Sequence, residues 1–85
     1  MSAPVRDLDA RGSLCPQPII DIARVARVAD VGARVRLLAD DPAADADVPA
    51  WCRMRGHTLL ARSDLTADDG GGVAYEIELR SSGGA

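Results

Sequence analysis

The chain is short of most groups that carry chemistry. Its 85 residues include two cysteines and one histidine, and His57 stands too far from Cys15 and Cys52 to give the spacing of a zinc site. There is no Cys-x-x-Cys pair, which weakens a thiol–disulfide oxidoreductase, and no phosphate-binding glycine loop. No apolar run approaches the roughly 20 residues that a membrane-spanning helix needs, and residues 1–6 lack the apolar stretch of a secretory signal. The expectation is a cytoplasmic protein without membrane contact, whose cysteines are thiols rather than a structural disulfide. Lysine is missing too, all ten basic residues being arginine. With alanine abundant, that reads as a compositional bias without functional meaning.

A net charge of −3 argues against direct nucleic-acid binding, which draws its affinity mainly from basic contacts to phosphate. Residues 1–85 fit one domain with one small core, ordered over about residues 5–80, and leave no interior for a deep pocket with a lid.

What is present is a readable order of elements. Residues 5–9 are a short candidate strand, and residues 10–14 resemble a turn. Residues 16–30 carry Ile19, Ile22, Val25, Ala26 and Ala29 on one side of a helical wheel, with Arg24 and Arg27 opposite. Gly32 is a plausible stop. In residues 34–39, Val35, Leu37 and Ala39 alternate with Arg34, Arg36 and Leu38, as in a strand. Asp40-Asp41-Pro42 resembles a capped helix start for a segment ending at Gly56. Pro49 lies deep inside it, so that this helix either kinks there or begins near Asp47. Residues 57–63 are a third strand, residues 64–72 a loop, and residues 73–80 the clearest period-2 alternation. The predicted fold is an α+β two-layer sandwich of order βαβαββ, a mixed four-stranded sheet with both helices on one face and water on the other.

Cys15 stands in Gly12-Ser13-Leu14-Cys15-Pro16-Gln17-Pro18, directly ahead of the first helix. A thiol there faces unsatisfied N–H groups and the positive end of the helix dipole, which favour thiolate. With Cys15 as N-cap, Pro16, Gln17 and Pro18 fill the first three helical positions. Two of these lack an N–H, and the Gln17 N–H becomes the main partner for sulfur. The alternative is that Cys15 is simply a small buried residue at a helix start.

Several separated stretches, Leu8-Asp9-Ala10, Gly12, Cys15-Pro16-Gln17-Pro18, Ala39-Asp40-Asp41-Pro42-Ala43 and Asp47-Val48-Pro49-Ala50-Trp51-Cys52, resemble the TusA/SirA family of small bacterial sulfur-carrier proteins with its Cys-Pro-x-Pro signature. The resemblance covers nearly the whole chain. It implies the same βαβαββ sandwich and a sulfurtransferase role for Cys15, which would take up sulfane sulfur as a persulfide without any cofactor or metal. The partners implied are a cysteine desulfurase or rhodanese-type donor and a downstream acceptor protein. The sulfur's destination, whether tRNA thiolation, molybdenum-cofactor maturation or sulfur oxidation, is set by those partners. Members usually have an acidic residue between the prolines, and Gln17 is neutral; of the basic pair further along the helix only Arg24 is kept. The first change removes a negative charge beside the thiol and predicts a thiolate at least as accessible.

Gly12, Pro16, Gln17 and Pro18 are the supporting residues of this reading. Ile20, Arg24, Arg27 and Val31 fall at i, i+4, i+7 and i+11, a mixed apolar and basic stripe suited to partner docking. Cys52, spaced to pair with Val48, is a core thiol or else a resolving cysteine. His57, at a strand start, is expected as a surface residue or hairpin neighbour, with general-base duty the lesser alternative, and Asp40 and Asp41 are explained by helix capping. The expected protein is a monomeric sulfur relay. The competing reading is a non-catalytic regulatory or interaction module in which Cys15 is structural.

Overall fold

In a computed structural model, residues 5–14 and 16–80 are described. Strand β1 (Val5–Asp9) leads to helix α1 (Gln17–Val28), strand β2 (Arg34–Ala39), helix α2 (Ala44–Arg55), strand β3 (Thr58–Asp64), a short 3₁₀ turn (Ala67–Asp69) and strand β4 (Val73–Glu78). The strands form one sheet of order β1-β2-β4-β3. β1 and β2 are parallel, Leu8 opposite Leu37, while β4 runs antiparallel to both neighbours, with Ile77 opposite Val35 and Leu59. This is the predicted mixed sheet in the predicted βαβαββ order.

Strand alternation divides the sheet into two chemically different faces. Val35, Leu37 and Ala39 of β2 and Tyr75 and Ile77 of β4 share the core with Ile22, Val25 and Ala26 of α1 and Val48, Trp51 and Cys52 of α2. The other face carries the cross-strand row Asp7, Arg36, Glu76 and the pair Arg34, Glu78, opposite charges side by side as ladder neighbours favour.

The helix boundaries differ from the sequence expectation for local reasons. α1 ends at Val28 rather than near Asp30, because Ala29 turns to extended backbone while its N–H still bonds the Val25 carbonyl. α2 runs through Pro49 without starting over. Its entry is tight: the N–H groups of Ala44, Asp45 and Ala46 reach back three residues to Asp41, Pro42 and Ala43, and Asp41 Oδ1 accepts from the Ala43 N–H at 3.0 Å. A proline this close to the entry removes one intrahelical bond and is carried by the packing of Val48, Trp51 and Cys52. Gly56, at φ 75°, closes the helix in the left-handed region, and the His57 N–H bonds the Cys52 carbonyl at 2.8 Å. β3 is shifted one residue later than expected, and part of the glycine-rich loop is the 3₁₀ turn.

Candidate functional site

Because β1 and β2 are parallel and β4 opposes β2, three connections meet at one edge of the sheet: the β1–α1 loop, the β2–α2 turn and the β3–β4 loop. The first of these holds the Cys-Pro-Gln-Pro run. Cys15 itself lies outside the described residues, so its proposed role as N-cap has to be judged from its neighbours. The N-cap position is occupied by Pro16, Gln17 is the first helical residue, and Pro18 is the second, with its ring buried.

The Gln17 N–H, assigned from sequence to sulfur, donates to the Leu14 carbonyl at 2.9 Å. Pro16 and Pro18 have no N–H at all, so the first turn is poorer in donors than the spacing suggested. The Gln17 side chain is also engaged, its Nε2 donating to Asp21 Oδ1 at 2.9 Å. A carboxylate one turn further on thus sits against the neutral residue of the motif.

The loop before Cys15 is fastened at two successive residues. The Arg11 guanidinium chelates the Asp9 carboxylate (Nε to Oδ1 2.9 Å, Nη2 to Oδ2 2.8 Å). Its Nη1 crosses to the carbonyls of Asp69 (2.5 Å) and Gly71 (3.2 Å) in the β3–β4 loop. Hydrogen bonds from the Arg11 side chain and backbone bring the Asp9 carboxyl down to about 2. Next along, the Gly12 N–H donates to both carboxylate oxygens of Asp40, each at 3.0 Å. Asp41 thus braces the turn ahead of α2, whose N-cap residue Ala43 has no side-chain cap, and Asp40 bonds elsewhere, so simple capping explains neither carboxylate. Sequence reasoning missed Arg11 and gave Asp40 the wrong partner. The Asp9–Arg11 spacing was a usable signal for one ion pair, whereas the contacts to residues 40, 69 and 71 follow only from the sheet order.

From Leu14 along the exposed face of α1 the surface is apolar and basic. Leu14 is 78% exposed and Ile20 41%. Arg24 and Arg27 are exposed as the helical stripe requires, and among the described residues neither forms an ion pair. Val28 and Val31 extend the exposed apolar surface toward the end of α1. Between α1 and α2 lies an open groove of about 420 Å³ lined by Pro16, Ile19, Ala50, Trp51 and Met54 together with Asp47 and Arg55.

Cys52 and His57 belong to the core beneath. Cys52 is buried and reduced, and burial pushes its thiol up to about 11, as a core thiol requires. His57, expected at the surface, is 7% exposed. Its ring lies against Trp51 with centroids 4.7 Å apart, and Nδ1 accepts the Arg80 N–H at 3.1 Å. That bond puts the imidazole proton on Nε2, a buried atom with no partner among the described residues. Burial, helped by nearby Arg55, depresses the His57 pKa. The polarity of histidine hid a residue whose packing is that of an aromatic.

The family model for sulfurtransferase TusA matches residues 6–79. The chain belongs to that family. The match runs from within β1 to the residue after β4 and includes the Cys-Pro-Gln-Pro run, all four strands and both helices. Membership supports a sulfur-carrier or sulfurtransferase role in a relay with partner proteins. Among the described residues, no group of His, Cys, Asp and Glu could hold a metal ion, and no helix is long and apolar enough to cross a membrane.

Proposed function

We propose that the protein is a sulfur carrier that accepts a persulfide sulfur on Cys15 and hands it to an acceptor protein. The observation that carries this reading is the family match over residues 6–79, with Cys15-Pro16-Gln17-Pro18 running into a helix start short of N–H donors. In loading, the Cys15 thiol gives up its proton to solvent, and the thiolate attacks the outer sulfur of the donor's Cys-S-S⁻. The donor's S–S bond breaks, its cysteine leaves as thiolate, and a new S–S bond forms on Cys15. Unloading repeats the exchange, with an acceptor thiolate attacking the outer sulfur and Cys15 leaving. Sulfane sulfur changes hands without net oxidation, so neither step calls for a cofactor. The carrier acts as a cytoplasmic monomer, with a desulfurase or rhodanese-type donor on one side and an acceptor on the other.

The geometry of α1 supports docking beside the sulfur. Leu14 and Ile20 provide exposed apolar contacts, and Arg24 and Arg27 provide charge with no competing ion pair among the described residues. Incubation with a cysteine desulfurase and cysteine, followed by intact mass measurement, tests the proposal. One added sulfur is expected, lost in Cys15→Ser and retained in Cys52→Ser. Absence of sulfur uptake from desulfurase and rhodanese donors alike, with partner binding surviving Cys15→Ser, would instead identify an interaction module.

A further inference from the structure

We propose that Asp40 is a positioning residue for sulfur transfer, fixing through Gly12 the loop that presents Cys15. The inference rests on the carrier reading above. Asp40 stands immediately after β2, and both its carboxylate oxygens lie 3.0 Å from the Gly12 nitrogen. Gly12 has φ +87°, and a Cβ placed on it would meet nothing within 4 Å. Glycine serves this position through its backbone angle rather than through lack of space. Arg11 adds a tether on the other side, to Asp69 and Gly71.

Past Gly12 the described hydrogen bonds are local turns, Ser13 N–H to the Ala10 carbonyl and Gln17 N–H to that of Leu14. The next firm anchor is the buried ring of Pro18. Asp40 therefore holds the last point secured by another element before Cys15. A bond to a charged acceptor is stronger and shorter than one to a neutral group, which suits a carboxylate holding a single N–H across the sheet edge. Displacement of an S–S bond needs the attacking thiolate in line with it, and misplacing a reacting atom by about 1 Å costs on the order of 100-fold in rate. The clamp does not touch Ile20, Arg24 or Arg27 on the exposed face of α1, so its loss acts mainly on the transfer step.

Desulfurase-to-carrier transfer kinetics separate the two. Asp40→Ala is expected to lower kcat by about tenfold or more while KM for the carrier changes less than about twofold. Asp40→Asn, which keeps a neutral carbonyl acceptor, should fall between Asp40→Ala and the wild type. Gly12→Ala keeps the N–H but disfavours the backbone angle of φ +87° that aims it at Asp40, so the double variant with Asp40→Ala should be no slower than the worse single variant. Wild-type kcat in Asp40→Ala, a raised KM with unchanged kcat, or additive losses in the double variant would each overturn the positioning role. Wild-type protein that takes up no sulfur would overturn the carrier reading and the positioning role with it, a result distinct from these three.

Discussion

Removing the Tyr75 hydroxyl should cost a measurable part of the fold's stability and should do so in a pH-dependent way. Tyr75 is 1% exposed, and its Oη donates at 2.6 Å to Asp45 Oδ1 on α2, the same carboxylate that Arg62 of β3 grips through Nε at 2.8 Å and Nη2 at 3.1 Å. This node ties β3, β4 and α2 together. Hydrogen bonds to charged groups contribute about 1.5–3 kcal/mol. Because the Asp45 side chain is 49% exposed, solvent screening places Tyr75→Phe at the low end, about 1.5 kcal/mol. For a domain of this size, that is roughly 6–12 °C in Tm. The pH dependence is the sharper test. Hydrogen bonds from Arg62 and then Tyr75 bring the Asp45 carboxyl from its usual 3.8 down to about 2. A carboxylate depressed in the fold contributes stability that is fully present above about 3.8 and is lost as pH falls toward 2. The gap in Tm between wild type and Tyr75→Phe should therefore be full at pH 6 and should narrow as the pH drops through that window, read by thermal unfolding followed by circular dichroism. A gap below 2 °C at pH 6, or one that does not change on acidification, would refute the reasoning.

The remaining expectations use the same core and edge. His57 is depressed by burial and by Arg55, so folding favours its neutral form and stability should fall as pH drops below the ordinary 6.5; an imidazole NMR titration should show a midpoint under 6.5, and one above it would contradict the packing described. In Gly72→Ala the added Cβ would lie 2.7 Å from the Ala39 carbonyl oxygen at φ +89°, whereas at Gly56 the space is open at φ +75°. Equilibrium denaturation should give about 1 kcal/mol for Gly56→Ala and about 3 kcal/mol for Gly72→Ala, and equal costs would show that the close approach does not matter. Reversing charge at Arg24 and Arg27 together should raise KM for a sulfur donor by about tenfold or more with little change in kcat, the opposite split from Asp40→Ala.

The sheet, its order along the chain and the inward residues of α1 were legible because each rests on local periodicity. Alternation of Val35, Leu37 and Ala39 and the wheel positions of Ile22, Val25 and Ala26 need no knowledge of the rest of the chain. What stayed hidden depends on contacts between distant residues. His57 was assigned to the surface by polarity alone, yet Trp51 and the Arg80 N–H complete its surroundings. Asp40 and Asp41 looked alike as cap residues, and only the meeting of the β1–α1 loop with the end of β2 gives Asp40 a different donor. The first turn of α1 was misjudged by one position, and that shift hands the Gln17 N–H to Leu14. The motif was readable while the hydrogen bonds around it were not.

Those hydrogen bonds bear on how a carrier can release what it binds. A site meant to hold an anion firmly directs several free N–H groups at it. Here the amides of Arg11 and Gly12 are taken by Asp9 and Asp40, that of Gln17 by Leu14, and Pro16 and Pro18 supply none. If Cys15 carries sulfur, these described amides of the loop and first turn are not free to stabilise the loaded form, and the dipole of α1 is what they leave. On the proposed reading, weak local stabilisation would keep uptake and release close in free energy, so that the direction of transfer would depend on which protein is docked. Discrimination, on the same reading, falls to the exposed side chains of Leu14, Ile20, Arg24 and Arg27, and Asp40 acts on the rate. The docking charge is thereby assigned to α1 and the positioning of Cys15 to the end of the sheet, so that charge reversal at Arg24 and Arg27 should leave kcat, and Asp40→Ala should leave KM, nearly unchanged.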